Sequence, residues 1–536
     1  MGKQIRRFAA ADCETDPFEF GKSVSPFVWG FYDEDGYKQF QSTVDFVAHI
    51  QEYDGIVYFH NGGKFDVRFL LPWIRGKVLS IHGRLAKCQL GKAELRDSYC
   101  LFPMPLSAYR KDDFDYTKLH RDQRAKFGMD ITRYLYGDCK YLYELLCEFV
   151  ANYGQHITLA GAAMDYWTKK FSPSIRYFKG DTGARWFDTF KHYYVGGRVE
   201  CFKSGEISRD FSVWDINSAY PHVMSGELPW GFKTYTSSKL YADRANLGFF
   251  DVAGTSYGAF PAREKGRKLH YPHVRGTFSV PGTELIPAMR CGRFRLEKVH
   301  RAIYFKESVT FADYIDHFYR LKDKAKREGN HAEYLFAKLM LNSLYGKYGA
   351  NPARYREHSI IDGDAVGEFA GKGYGVTGLP GCDAFMIDKA IAMHARKYFN
   401  VATAAAITGG VRGMMIEAIA GASGLIYCDT DSIAAESADL RLSNRLGDWD
   451  CEAECDAAYV AGKKLYAFHL TGKGWNDETN GRGQFVNFKT ASKGTRLKPS
   501  QIRGIAAGGA VRWQKEAPTF RGSAQTFLKR RVYMTV

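Results

Sequence analysis

The sequence contains no run of 18 or more apolar residues, so nothing in it predicts a membrane-spanning helix or a membrane partner. Its 11 cysteines are scattered, and only Cys451 and Cys455 lie close together. Neither a paired C-x-x-C nor finger-spaced histidines accompany them, which argues against a structural zinc and favours reduced, mostly buried thiols. Internal repeats and heptads are also missing. Met1 to Ala11 sets basic residues before a short apolar patch, but that patch runs straight into Asp12 and Glu14. A strand fits it better than a signal peptide, and a cytoplasmic monomer is expected. Acidic charge is in deficit as well: 75 Lys and Arg face 59 Asp and Glu, a net charge of +16. From Arg482 onward 12 basic residues face one acid, Glu516. Phe485, Phe488, Ile502, Ile505 and Trp513 are interleaved with them, which predicts a folded subdomain presenting its charge to a polyanion.

A chain of 536 residues, 45% hydrophobic and 25% charged, implies two to four globular domains. The first ~155 residues alternate short apolar runs with turns and then close on a helix, the pattern of an α/β domain. Ile131, Leu135, Leu142, Leu145, Leu146, Phe149 and Val150 recur mainly at three- and four-residue spacing, with Asp130 as the expected N-cap and Gly154 as the stop. A second helical stretch is predicted over roughly 314–347. Glycines at 363, 367, 371, 373, 375, 378 and 381 predict a loop or irregular hairpin over 350–385.

Chemistry concentrates in two sets of acids. In FAAADCETD, Asp12 and Glu14 are two apart at the end of an apolar strand and share a face. YFHNGGKFDVRFL adds Asp66, and YLYGDC adds Tyr134 and Asp138 at i, i+4 on one helical face. Four carboxylates so placed can hold two divalent ions and cleave a phosphodiester, whereas clustering them without cations is unfavourable. The second set comprises Asp215 in FSVWDINSAYPHVM and Asp429 and Asp431 in LIYCDTDSIAA, an acidic tip between apolar arms, as in a β-hairpin. Alternation by two predicts that Asp429 and Asp431 share a face. Between these segments, FAKLMLNSLYGKYG places Lys338, Asn342 and Tyr345 along one face of a predicted helix.

These segments resemble family B DNA polymerases of the protein-primed, phage-replicase type, and their wording (CETDPF, HNGGKFD, RDSY, GGRVECFK) is most similar to the tectivirus enzymes. The first acid set resembles the three proofreading exonuclease motifs. That resemblance implies metal binding by Asp12, Glu14, Asp66 and Asp138, and water orientation by Tyr134. Lys111 in KDDFDY is the lysine typical of the protein-primed subgroup, with Asp113 as a further acid nearby. Thr15, His60, Asn61, Phe65, Phe69, Ser98 and Tyr116 are implied grips on a frayed primer end, for which aromatic faces and amide or hydroxyl groups are suited. The second set resembles motif A (DxxSLYP, with Ala219 in place of leucine), motif B (KxxxNSxYG) and motif C (YxDTDS). Asp215, Ile216 and Asp431 are thereby implied as metal ligands and Asp429 as a further catalytic acid. Ile216, Asn217, Ser218, Ala219, Tyr220, Lys338, Asn342 and Tyr345 are implied around the incoming nucleotide, Tyr220 excluding a 2′-hydroxyl. Lys322 and Lys324 are additional triphosphate candidates.

Smaller matches complete the resemblance. KKLYAF gives Lys464 and Tyr466 of a KxY motif at the primer terminus. AMHAR gives Arg396 of a Tx2AR-like motif, with Ala392 where threonine is usual. YYVGGRV gives Tyr194, Gly196 and Gly197 of the YxGG segment. The implied architecture is α/β plus α+β and multidomain. A ribonuclease H-like 3′–5′ exonuclease domain (1–155) and a linker (156–198) precede a right-hand polymerase. This comprises palm (199–226 and 386–480), fingers (316–349) and a basic thumb (481–536), with two protein-priming insertions (227–315 and 350–385). The implied activity is DNA-directed DNA synthesis with proofreading and strand displacement on a linear genome. The cofactor would be Mg2+, two per site, with Mn2+ as substitute. The partners would be primer-template and single-stranded DNA, dNTPs, a terminal protein and a single-stranded-DNA-binding protein. A linear-plasmid replicase primed differently is the alternative; a catalytically dead descendant conflicts with seven retained acids.

Overall fold

The computed structural model describes all residues except 1–4, 20–21, 172–177, 264–268, 380, 393–394, 399, 481–482, 516–518, 522–523, 527 and 535–536. Glu516 therefore lies outside the described residues. Three large sheets organise the chain. In the first, strand Phe8–Thr15 pairs in parallel with Ile56–Phe59 and antiparallel with Pro26–Asp33. Ala9, Ala10 and Ala11 are wholly buried in it. Helix Gly128–Tyr153 packs against this sheet, and Gly30 permits the approach, because a Cβ there would sit 2.8 Å from the Cys139 sulfur. The helix ends at Gly154, whose φ of 79° is in the glycine-favoured region. Its start differs from expectation. Phe127 occupies the N-cap position, and Asp130 lies inside the first turn, where its charge suits the helix dipole without capping a free N–H.

The glycine-rich segment after 350 is more regular than a loop. Strands Arg356–Asp362, Gly375–Gly378 and Ala384–Ala390 form an antiparallel unit whose first strand pairs with Gly76–Ile81 at the edge of the N-terminal sheet. The result is one continuous ten-stranded sheet. Ile360, Leu379 and Ala384 join the same buried cluster as Trp29, Phe59 and Leu70, and Arg75 Nε bonds Asp362 Oδ1 at 2.6 Å across the junction. Pairing and a shared core tie the two segments into one body.

The second sheet has seven strands, with Gly205–Ile216 between Trp449–Gly462 and Ser432–Ala435. Behind it lies helix Val401–Ala420, apolar on nearly all sides and accordingly buried. The third sheet, of four strands, is formed from residues 228–309. The single helical stretch expected over 314–347 is divided. Ala312–Glu328 ends at Gly329 (φ 69°), and His331–Ser343 starts with Asn330 accepting from Glu333 N–H at 3.1 Å. At the C-terminal end Phe488, Leu497, Ile502 and Ile505 form a small core flanked by Phe485 and Trp513, so the basic stretch is folded as expected. All 11 cysteines are free; five are fully buried and Cys451 is exposed, fewer buried than expected. Among the described residues no helix is long and apolar enough to cross a membrane.

Candidate active sites

The sheet-helix contact of the N-terminal domain brings its acids together. Donor atoms of Asp12, Glu14 and Asp138 all lie within 4.8 Å of one another. Asp66, at the start of the turn-rich segment Asp66–Trp73, accepts from the Cys13 thiol at 3.1 Å. The backbone before it is tight, since a Cβ on Gly63 would lie 2.7 Å from an Asp97 oxygen. Burial, reinforced by Asp66, Asp138 and Glu14, holds the Asp12 carboxyl well above its usual range. Burial and Asp138 push Glu14 up to about 8. Burial raises Asp66 to about 6, against the Cys13 hydrogen bond. Lys111 supplies one ammonium, 3.3 Å from Asp138 Oδ2, and Asp138 Oδ1 is buried without a hydrogen-bond partner. An orphaned carboxylate oxygen beside three crowded acids is what a hard cation would satisfy, so the donor set fits divalent metal.

Around the acids, the Tyr134 hydroxyl meets that of Tyr116 at 3.0 Å, and its ring stacks on Phe114. His60, Asn61 and Phe65 line the cleft. Phe65 meets Phe18 and Phe69 edge-on. Thr15 is buried, its hydroxyl donating to Asp16 O. Ser98 differs from the expected cleft ligand: it is wholly buried and bonds Phe59 O and His60 Nδ1, so it positions His60 rather than facing the cleft. Asp113 has no described contact with the acids.

Because Glu14 keeps its proton to about pH 8 when folded but has an ordinary value of 4.5, the folded chain binds more protons between those limits. Its contribution to stability is therefore present at low pH and lost as pH rises toward 8. Thermal melts in EDTA are expected to show this loss, and Glu14→Gln to flatten the slope. Mg2+ is expected to restore stability at pH 8. An identical slope in parent and variant would refute the assignment.

In the seven-stranded sheet, Asp215 and Asp429 each stand opposite Ser432, on the strands that flank Ser432–Ala435. Asp431 does not continue the alternation. The chain reverses at Thr430 (φ 63°), and Asp431 lies in the turn, its N–H bonding Asp429 O at 2.7 Å and its carbonyl accepting from Ile216 N–H at 2.9 Å. Burial and Asp431 push Asp215 up to about 7; burial and Asp429 push Asp431 up to about 6. Two carboxyls held up by burial and by neighbouring acids again fit a cation. Asp429 is bound by Lys464 Nζ at 3.1 Å, which places the KxY lysine at this site. Tyr466 stacks on Phe468 and is nearly buried.

The residues expected around a nucleotide begin at the end of strand Gly205–Ile216. Ile216 and Ala219 are buried, Ser218 has φ 55°, and Asn217 bonds Ser443 O at 2.7 Å. Tyr220 stacks on Tyr345 with centroids 4.4 Å apart. Lys338 and Asn342 are exposed on helix His331–Ser343, but that helix stops at Ser343, so Tyr345 belongs to the next short turn, Tyr345–Tyr348. Lys322 lies over the Tyr319 ring, and Lys324 is exposed. A Cβ on Gly197 would meet Thr430 Cγ2 at 2.7 Å, so the YxGG segment passes directly beside the acidic turn. A Cβ on Gly349 would likewise meet the Tyr194 ring, which fixes Tyr194 against the chain after Tyr348.

Sequence reasoning missed two residues, Glu452 and Arg412. Glu452 is an extra residue where the register slips between Val213 and Trp214; it adds an acid beside Asp215 and is bonded by Lys489 at 2.6 Å. Arg396 bonds Ile391 O at 2.7 Å within its own loop. Arg412, in Thr408-Gly-Gly-Val-Arg412, offers the T-x-x-x-R spacing with its threonine present. It is wholly buried, forms a two-pronged pair with Glu284 (2.9 and 2.5 Å) and donates to the carbonyls of Val195 and Gly196. It thereby ties the YxGG segment to helix Val401–Ala420 and to helix Gly282–Arg290, which carries Glu284. Arg412→Met is expected to cost about 3–5 kcal/mol in urea unfolding, because it strands a buried carboxylate. A loss under 1 kcal/mol would contradict this.

Comparison with known proteins sets these sites in a family. The sequence model for DNA polymerase type B, organellar and viral, matches residues 102–375. The DNA-directed DNA polymerase of Enterobacteria phage PRD1 is 34% identical, covering 98% of both chains. The DNA polymerase of Bacillus phage phi29 is 24% identical, over 88% of this chain and 92% of that one. Among solved structures, phi29 DNA polymerase superposes with a TM-score of 0.73 at 18% identity, covering 99% of this chain and 100% of that chain. Its complex with single-stranded DNA gives 0.71. The chain thus belongs to the organellar and viral type B DNA polymerases and is a DNA-directed DNA polymerase. Within that family it groups with the protein-primed phage replicases, and its fold is the multidomain, mixed α/β fold of phi29 DNA polymerase.

Proposed function

We propose that this polymerase copies a linear phage-type genome from a terminal-protein primer, proofreads 3′–5′ at a separate site and displaces the non-template strand. The observation that carries the two-site reading is the pair of separated acid sets, each with carboxyl groups raised by burial and by neighbouring acids. Asp12, Glu14, Asp66 and Asp138 would hold divalent ions at one site; Asp215, Asp431 and the Ile216 carbonyl would hold them at the other. Bound there, Mg2+ supplies charge neutralisation of the reacting phosphate and of the entering and leaving oxygens.

The remaining work belongs to the chain. Tyr134, whose hydroxyl is held by Tyr116 and kept protonated by burial and Asp138, can orient a water by hydrogen bonding. Lys111 offsets the charge of Asp138. His60 and Phe65 would present ring faces to an unpaired base, the two His60 nitrogens being bonded to Ser98 Oγ and Met104 O. At the synthetic site the Tyr220–Tyr345 stack would form a flat floor for a sugar and base pair, and Lys338, exposed on helix His331–Ser343, would offer an ammonium to the triphosphate. Lys464 stands beside Asp429, where a primer terminus would lie. Residues 1–155, 199–226 with 386–480, 316–349 and 481–536 would serve as exonuclease, palm, fingers and thumb. The segments 227–315 and 350–385 would be the priming insertions.

The test uses a 5′-labelled primer annealed to a template in Mg2+. Without dNTPs the primer should shorten stepwise; with dNTPs it should extend and displace a downstream strand. Extension without shortening would remove proofreading, and extension that halts at the downstream strand would remove displacement.

A further inference from the structure

The cleft of about 650 Å³ that holds Asp12, Asp66 and Asp138 does not end at the acids. It meets a second cleft, of about 830 Å³, between the N-terminal domain and the C-terminal basic subdomain, and Lys64 and Lys515 line both. The second cleft continues with Arg68 and His82 on one wall and Trp513 and Arg530 on the other, and no acidic residue lines it among the described residues. Lys64 closes the Gly62–Lys64 turn that leads into Phe65 and Asp66. Lys515 follows strand Ala510–Gln514, held by its N–H to Leu528 O at 2.8 Å. Two ammonium groups thus flank one seam from different subdomains, and Lys64 together with burial disfavours the charge on Lys515. Like charges so placed gain from an anion lying between them. Further along, the Arg530 guanidinium sits 4.9 Å from the Trp513 ring centroid and bonds Lys493 O, which stiffens an aromatic platform beside the cations.

The geometry points to a phosphate seam at Lys64 and Lys515. The two ammonium groups hold backbone phosphates of a single DNA strand whose 3′ end lies at the N-terminal acids, and the upstream nucleotides run through the basic cleft past Trp513. The two lysines would be binding residues for the frayed strand, contributed by both subdomains, so strand capture requires the thumb as well as the exonuclease domain. This inference rests on the proofreading reading for where the 3′ end lies.

The test is equilibrium binding of fluorescein-labelled dT3 and dT10 to the full chain in EDTA, over a range of salt. Lys64→Ala/Lys515→Ala is expected to weaken dT10 binding about tenfold and to lower the slope of log affinity against log salt by about 1.4, the loss of two single-strand phosphate contacts. Lys64→Arg/Lys515→Arg should restore both quantities, which a folding defect would not allow. Trp513→Ala should weaken dT10 and leave dT3 nearly unchanged. Unaltered affinity and slope in the alanine pair would overturn the seam. So would equal competition by dTMP and dT10, which marks a mononucleotide site. Binding is read without metal, so a chain that captures dT10 through both lysines yet never shortens a primer would refute proofreading and leave the seam standing.

Discussion

Asp431→Ala is expected to lower nucleotide incorporation by at least about 10³-fold while primer degradation continues, because several kcal/mol of charge stabilisation at the reacting phosphate would be lost. Asp431 lies in the turn after Asp429, and its backbone N–H and C=O are bonded to Asp429 and Ile216. Those bonds survive the substitution, so the turn keeps its shape and only the carboxylate disappears. Asp215 would then lose the neighbour that raises its pKa and ionise alone, leaving too little negative charge for a pair of divalent ions. Asp429→Ala is a different case. It frees Lys464 as well as removing an acid, so it should weaken primer binding and catalysis together. Single-nucleotide incorporation under single-turnover conditions separates the two. A loss below tenfold for Asp431→Ala would place the synthetic site elsewhere.

What could be read from the sequence follows from the range of the interactions involved. Asp12 and Glu14 were legible because period-2 geometry is local, and Tyr134 with Asp138 because one helical turn separates them. Asp431 was misplaced by the same rule: DTD alternates in sequence, but Thr430 takes a left-handed φ and the strand ends there. The division of the helix at Gly329 was marked by Gly329-Asn330, a stop followed by a cap, which the periodicity of the flanking residues concealed. Glu452 reaches Asp215 only because the register slips by one residue, and no local pattern announces such a slip. The junction of Arg356–Asp362 with Gly76–Ile81 joins strands some 280 residues apart; glycine content signalled turns there but not their partner. Arg412 did leave a signal, a lone cation inside a nearly all-apolar helix of 20 residues. A charge in that setting needs a buried partner, and Glu284 supplies it.

The reciprocal outcome is expected at the N-terminal site. Asp12→Ala/Asp66→Ala should reduce primer shortening by at least about 10³-fold and leave extension intact, since two of four donors are lost from a site on a different sheet. Stability should move in the opposite direction to activity. In the metal-free chain Asp12, Glu14, Asp66 and Asp138 are buried together, and charge on Asp12 and Glu14 is disfavoured by burial and by the other acids, with Lys111 offsetting only part of it. Removing two of them relieves that repulsion, so the double variant should melt higher than the parent in EDTA at pH 8. It should also gain less from added Mg2+, because fewer ligands remain to couple binding to folding. The combination is diagnostic. A merely structural role for these acids would lower the melting temperature and damage both activities, whereas a metal site kept for catalysis gives up stability in the absence of its ion and recovers it on binding.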